Sequence, residues 1–293
     1  MVSNLLRKFR MNRIRPVVTL VTPVYDQAEF LNDYLKCIID QTWRPLQVIL
    51  VDDGSTDGSD KLLDIAAANG KDDLSIEVIH ATHAGQAHAM NLALSKVKGE
   101  FFTWCDADDR MTVDSIEKKA LYLMEHAQDG MVRSNGIMYD LDNGEVIGEY
   151  ASSEDKERRR IFDDLLYDRT YCYAGTYMLR TDLLFMCYPD KQIPESSEGQ
   201  NLQLLLPPSS RSTCGYIDEK LHTYRVHHDS HSHRHRSYSE ALDRITKFTS
   251  LRLKLLDHCE CDTEKYTNAI EKIDESSKSD LLRNAVKKVR KRN

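Results

Sequence analysis

Short, continuously apolar runs alternate along the first third of the chain with longer stretches in which apolar residues recur every three or four positions. VVTLVTPVY (17–25) has the first character, and Phe30, Leu31, Tyr34, Leu35, Ile38 and Ile39 have the second. LQVILVDD repeats the apolar run, followed by Leu62, Leu63 and Ile65 at helical spacing and a stop at Gly70. LSIEVIH is a third run, an Ala-rich segment over about 84–97 is a third helix, and FFTW closes the series. Unbroken apolar runs bounded by turn residues mark strands covered on both faces, and strands alternating with helices predict a mostly parallel sheet with right-handed crossovers. In such a sheet the loops after the strands share one edge, so Tyr25, Asp53, Asp106, Asp108 and Asp109 are expected together there.

The pattern changes after residue 110. Residues 111–127 are expected to form an amphipathic helix capped by Thr112, and 131–150 a hairpin turning at Asp142, Asn143 and Gly144. A charged helix is expected over 156–168 with Ile161, Phe162, Leu165 and Leu166 on one face, then a strand over 174–180. Leu202, Leu204, Leu205 and Leu206 begin a further helix. From Ser237 onward Leu242, Ile245, Phe248, Leu251 and Leu255, and later Tyr266, Ile270 and Ile273, predict a helical C-terminal part.

Composition narrows the class. The chain has 293 residues, 41% hydrophobic and 30% charged, enough for one large α/β domain with an appendage. No apolar run approaches the roughly 18 residues of a membrane span, and the basic N-terminus lacks the apolar centre of a signal peptide, so a cytoplasmic protein is expected. Seven scattered cysteines without a CxxC favour reduced thiols, and His258, Cys259 and Cys261 fit no common zinc spacing. The net charge of −7 is unevenly placed, because basic residues crowd residues 1–15 and 283–292 and leave the middle at about −18. The body should repel nucleic acid, while the ends suit peripheral contact with an anionic membrane.

The chemistry lies in the acids. Asp106, Asp108 and Asp109 close an apolar strand, and carboxylates so crowded must be solvated or face a cation. Oxygen ligands alone suit Mn²⁺ or Mg²⁺ bearing phosphates. No GxGxxG or GxxxxGK[ST] follows any strand, so the phosphates are not held by a glycine-rich loop. Asp53 is a candidate acceptor for a base or ribose, or a loop acid. Glu198, just ahead of an apolar helix, is the candidate general base for activating a hydroxyl, with Glu195 second; the alternative for Glu198 is a helix-terminus acid. YRVHHDSHSHRHR holds five of the eleven histidines, and its spacing does not choose among a metal cluster, a pH-sensitive loop and a solvated loop.

TPVYDQ, QTWRPLQVILVDDGSTDGS, the 85–91 segment with KGEF, CDADD and YIDEKLHTYRVHHDS resemble, in order and spacing, the inverting family 2 glycosyltransferases of GT-A fold. They span about residues 16–232. That resemblance implies a GT-A domain over 16–235, with a nucleotide-sugar half (16–110) and an acceptor half (111–235), between a basic leader (1–15) and a helical extension (236–293). It implies a nucleotide-sugar site of Pro23, Tyr25, Asp53, Asn91, Asp106 and Asp108, Tyr25 stacking on the base and Asp53 bonding the uracil. The metal would be held by Asp108 and His227, with Asp106, Asp109 and His231 as further candidates. The implied partners are a UDP-sugar donor and a carbohydrate or lipid-linked carbohydrate acceptor, as in bacterial surface-polysaccharide synthesis. Two departures stand out: Met90 occupies a position where many relatives carry arginine, and Glu198-Gly199-Gln200 replaces a Glu-Asp pair, in the manner of a bacterial subset carrying EGQN. A catalytically silent nucleotide-sugar-binding or scaffolding protein is the rival from another class. A nucleotidyltransferase would open with a glycine- and arginine-rich loop that TPVYDQ lacks.

Overall fold

The computed structural model describes residues 15–151, 155–226 and 237–290. The expected alternation is present: β1 (Val18–Val24), α1 (Ala28–Ile39), β2 (Leu46–Asp52), α2 (Ser59–Ala67), β3 (Leu74–His80), α3 (Gln86–Leu94) and β4 (Phe101–Trp104). These four strands pair in parallel in the order β3-β2-β1-β4. Strand order therefore reverses at β1, and ligands of open α/β sheets bind beyond the strand ends at such a reversal. Pro23 is tolerated in β1 because its ladder with β4 ends at Val21, so no partner needs the missing N–H there.

The second half adds β5 (Arg110–Met111), α4 (Ser115–Glu125), β6 (Asp129–Asp140), β7 (Glu145–Glu149), α5 (Phe162–Leu166), β8 (Tyr177–Arg180), α6 (Thr181–Cys187), α7 (Gln200–Arg211) and β9 (Thr213–Val226). They extend the sheet through β8, β6, β9 and β5, with β7 on β6. Here antiparallel pairs dominate, and only β6 and β9 run parallel. The hairpin turns where expected, with Asp140 accepting from the amides of Asp142 and Asn143.

Three local expectations change. α4 starts at Ser115, because Arg110 and Met111 are taken into a ladder with β9 and the Thr112 amide bonds to Leu221. The Thr112 hydroxyl donates to Asp114 instead of capping, and Gln41 Oε1 accepts the Ile116 amide at 3.2 Å. The charged helix over 156–168 shrinks to Phe162–Leu166, since the Arg159 carbonyl accepts the Cys214 amide at 2.7 Å and Arg159, Lys156 and Arg158 are drawn to Asp129, Asp218 and Asp164. α6 follows β8 without a linker, where the sequence pattern predicts only the strand.

Both faces of the sheet are packed, which explains the unbroken apolar runs. Val18, Leu20, Leu31, Tyr34, Ile38, Trp43 and Ile116 lie in one core. The other joins Phe102 and Trp104 of β4 to Leu202, Leu204, Leu205 and Leu206 of α7. α8 (Tyr238–Leu256) and α9 (Thr263–Arg290) complete the described chain. α8 opens with a capping box between Ser237 and Glu240. Its Leu251, Leu255 and Leu256, with Ile270 of α9, belong to the same core as the α7 leucines. No helix among the described residues is long and apolar enough to cross a membrane.

Candidate functional site

β4 delivers three acids to the sheet edge. Carboxylate oxygens of Asp106, Asp108 and Asp109 all lie within 4.8 Å of one another. The turn holding them is fastened at several points. Gln86, in the first turn of α3, donates its side-chain amide to Asp106 Oδ1 at 3.0 Å. Arg225, near the end of β9, gives its backbone amide to Asp109 Oδ1 at 3.0 Å and its Nε to the Asp108 carbonyl. Its guanidinium lies 4.9 Å from the Phe30 ring centroid. Burial, with the Asp108 charge second, pushes Asp106 up to about 7, and the Gln86 hydrogen bond opposes that. Burial and the charges of Asp108 and Asp106 also raise Asp109. Such repulsion disfavours three ionised acids in one place and would be relieved by a hard cation bound to their oxygens.

Asp53 follows β2 and is buried. Its Oδ1 accepts the Ala84 amide and its Oδ2 the Gly85 amide, each at 2.9 Å. His83 Nδ1 lies 2.9 Å from the same Oδ2. The carboxylate therefore ties the loop before α3 to the end of β2. Gly54 permits this contact, since its φ of +76° suits glycine and a Cβ would come within 2.8 Å of the His83 nitrogen. On this platform Tyr25, 44% exposed, stacks on His83 with ring centroids 4.0 Å apart. Tyr25, Asp53 and the acids thus share one edge, with an aromatic face presented to solvent.

The stretch before α7 is pinned to the same edge. Asn91 of α3 makes two bonds to Ile193, donating Nδ2 to its carbonyl at 3.1 Å and accepting its amide at 2.8 Å. Both polar ends of Asn91 are thereby used in a clamp. His88 of the same helix meets Glu195 Oε1 at 3.2 Å. Trp104 Nε1, two residues before Asp106, donates to Asn201 Oδ1 at 2.7 Å. Glu198 lies between these fastenings, its side chain 12% exposed and its Oε2 3.0 Å from Arg244 Nε. A groove of about 330 Å³ opens between α8 and α9, lined by Arg244, Phe248, Arg252 and Asp274, and none of the β4 acids lines it.

Asn91→Ala is expected to cost about 2 kcal/mol, because two buried backbone groups of Ile193 lose their partners. Denaturant unfolding checks this, and a loss within 0.5 kcal/mol or so would show that the clamp is dispensable.

His227 and His231 lie outside the described residues, as do most of the basic leader and the histidine-rich loop. Gln86, His83 and Arg225 were not singled out by sequence reasoning. His83 precedes a matched segment and Gln86 lies within it, but nothing in their spacing reveals a ring stack or a contact with Asp106. His222 is buried between Tyr150, at 2.9 Å from Nδ1, and Asp109, at 3.5 Å from Nε2, and burial lowers its pKa to about 3. It therefore stands as a neutral partner within the core.

An α/β sheet with acids and an aromatic at its strand-order reversal fits many ligands, and comparison with known proteins decides among families. Residues 19–184, more than half of the chain, match the family model described as Glycosyl transferase family 2. The chain belongs to that family. Among curated glycosyltransferases, the putative teichuronic acid biosynthesis glycosyltransferase TuaG of Bacillus subtilis is 32% identical over 118 residues, 40% of this chain and 46% of TuaG. Glycosyltransferase GlyG of Streptococcus pneumoniae is 33% identical over 129 residues, 44% of this chain and 42% of GlyG. The match to these relatives thus spans less than half of their length. Among solved structures, S. aureus TarS 1-349 in complex with UDP-GlcNAc aligns with a TM-score of 0.62 at 16% identity, covering 90% of this chain and 71% of TarS. Mannosyltransferase PcManGT from Pyrobaculum calidifontis, in complex with GDP-Man and Mn²⁺, aligns at 0.58 and 17% identity, covering 97% of this chain and 83% of that one. The fold is that of a GT-A glycosyltransferase, as the resemblance in the sequence implies.

Proposed function

We propose that this family 2 glycosyltransferase is metal-dependent and inverting, and moves a sugar from a UDP-sugar to a carbohydrate or lipid-linked carbohydrate acceptor in cell-surface polysaccharide synthesis. The observation that carries this reading is the convergence of three carboxylates within 4.8 Å beside Asp53 and the exposed Tyr25 ring at one sheet edge. Tyr25 stacks on the base, supported from below by His83. Asp53 retains a lone pair beyond those used by Ala84, Gly85 and His83, and it accepts from the uracil. Pro23 shapes the end of β1 beneath the base.

The donor set of the β4 acids fits a hard divalent ion, Mn²⁺ or Mg²⁺, with Asp108 as the main ligand, Asp106 and Asp109 beside it, and His227 or His231 completing the set. Such an ion supplies charge stabilisation to the departing diphosphate. Gln86 and Arg225 keep the acids in place. Asn91 acts through its clamp, holding the segment that carries Glu195 and Glu198 against α3. Glu198 takes the proton of the acceptor hydroxyl as it attacks the anomeric carbon, and attack opposite the leaving group inverts that centre. Glu195, beside His88, is the alternative base.

The nucleotide half over 16–110, the acceptor half over 111–235 and the helices from 236 are proposed as functional regions. The basic termini are assigned to peripheral contact with the anionic inner face of the membrane, in an otherwise cytoplasmic protein. Binding to anionic vesicles should weaken as salt rises, and a chain trimmed at both ends should bind less. Equal binding of the trimmed chain would overturn that assignment.

The test of the function is incubation with a panel of UDP- and GDP-sugars and saccharide acceptors in Mn²⁺, with release of the free nucleotide followed. UDP release that depends on acceptor and stops in EDTA is expected. Pyrophosphate release would point to a nucleotidyltransferase, and donor binding without release to a silent binding protein.

A further inference from the structure

Resting on the reading of Glu198 as the base, a second residue follows from how α8 meets the turn that carries it. Glu198 is followed by Gly199, at a φ of +75°. A Cβ there would lie 2.6 Å from Leu251 Cδ2 and 3.1 Å from Phe248 Cε1, so α8 fills the space that a side chain would need. Leu251 and Leu255, 2% and 0% exposed, seat that helix in the core. One face of α8 therefore covers the turn, and from that face Arg244 reaches back to Glu198, Nε to Oε2 at 3.0 Å. The guanidinium is steadied by Phe248, whose ring centroid lies 5.4 Å away. Arg252 lies 5.6 Å from the same ring and pairs with Asp168, so the Phe248 side of the helix is held to the catalytic core as well.

We propose that Arg244 is a positioning residue for the transfer reaction: it fixes Oε2 of Glu198 so that Oε1 is presented to the acceptor hydroxyl. The residue after Glu198 is glycine, and the appended helix supplies a cation from outside the turn. Gly199 and Arg244 are thus two parts of one arrangement, the first admitting α8 and the second using it. Lys247, three residues further along α8, also feels the Glu198 charge but lies on the solvent side, with its amine paired to Asp243.

A kinetic cycle in the full chain tests this. Arg244→Gln is expected to lower kcat by about 10-fold, since small misplacement of a catalytic group is costly, and to leave the donor KM unchanged. Arg244→Lys should recover part of the loss. In the Glu198→Gln background, which has no base to position, Arg244→Gln should cost nothing further, because two residues acting through one contact are not additive. Asp168→Asn, which breaks the Arg252 pair at the same interface, should leave kcat unchanged, and thermal unfolding confirms that each variant is folded. Full activity of Arg244→Gln, an equal loss in both backgrounds, or an equal loss in Asp168→Asn would overturn the inference while leaving Glu198 as base. Normal turnover of Glu198→Gln alone would overturn the base reading, and this inference with it.

Discussion

Asp108→Asn is expected to lower sugar transfer by at least roughly 10²-fold, the scale of losing one preorganised electrostatic contact to a charge that develops in the transition state. The substitution removes a charged oxygen from a cluster whose members lie within 4.8 Å of one another. It should also abolish the dependence of nucleotide binding on Mn²⁺, measured by calorimetry with and without the ion. A third consequence has the opposite sign. In metal-free buffer the variant should unfold at a higher temperature than the wild type, because burial and mutual repulsion already raise Asp106 and Asp109 and one charge fewer relieves them. Added Mn²⁺ should reverse the order, since an ion at 100 times its Kd stabilises the wild type by about 2.7 kcal/mol and finds a poorer site in the variant. Wild-type transfer by Asp108→Asn, or full activity of the native protein in EDTA, would remove the metal from the mechanism.

Glu198→Gln is expected to lower turnover by roughly 10² or more while donor affinity barely changes, because glutamine keeps the shape but cannot accept a proton. The structure sharpens the competing outcome. Glu198 is largely covered and paired with Arg244. If that pair were its whole purpose, the same substitution would cost stability, by up to about 3 kcal/mol for a largely covered pair, and leave turnover intact. Glu195→Gln belongs in the same experiment. Glu195 is the more exposed acid and meets His88, one turn or less from the Gln86 that touches Asp106. Loss of turnover there with an active Glu198→Gln would transfer the role to Glu195. Normal turnover in both would leave the acceptor proton without an acid in this segment.

The first 110 residues could be read from the sequence because β1, β2 and β4 are buried along their whole length and a helix follows each of β1, β2 and β3, so local pattern and tertiary environment agree. The edge where Tyr25, Asp53 and the β4 acids meet follows from that alternation alone. Past residue 110 the agreement fails. Met111 looks like the start of a helix, yet a distant strand claims its backbone. Residues 156–161 carry a helical charge pattern, yet the Arg159 carbonyl is taken by β9. Contacts over such sequence separations leave no periodic trace. The same holds at the site: Asn91 was legible as a matched residue, but its bonds to Ile193 depend on how α3 meets a segment 102 residues away. Arg244, in a helix expected only as an appendage, could not have been connected to Glu198 from spacing.

The core shared between α7 and the last two helices bears on the order in which the protein is made. Leu202, Leu204, Leu205 and Leu206 are finished by Leu251, Leu255, Leu256 and Ile270, all of which leave the ribosome later. At a synthesis rate of roughly 5–20 residues per second, the α7 leucines wait a few seconds or more without their final cover. During that interval the parallel half can already be folded, since β1 to β4 and their helices lie within the first 104 residues. The nascent chain is therefore expected to pass through a stage with a folded parallel half but an unsealed apolar surface behind Glu198, where a chaperone would find its binding site.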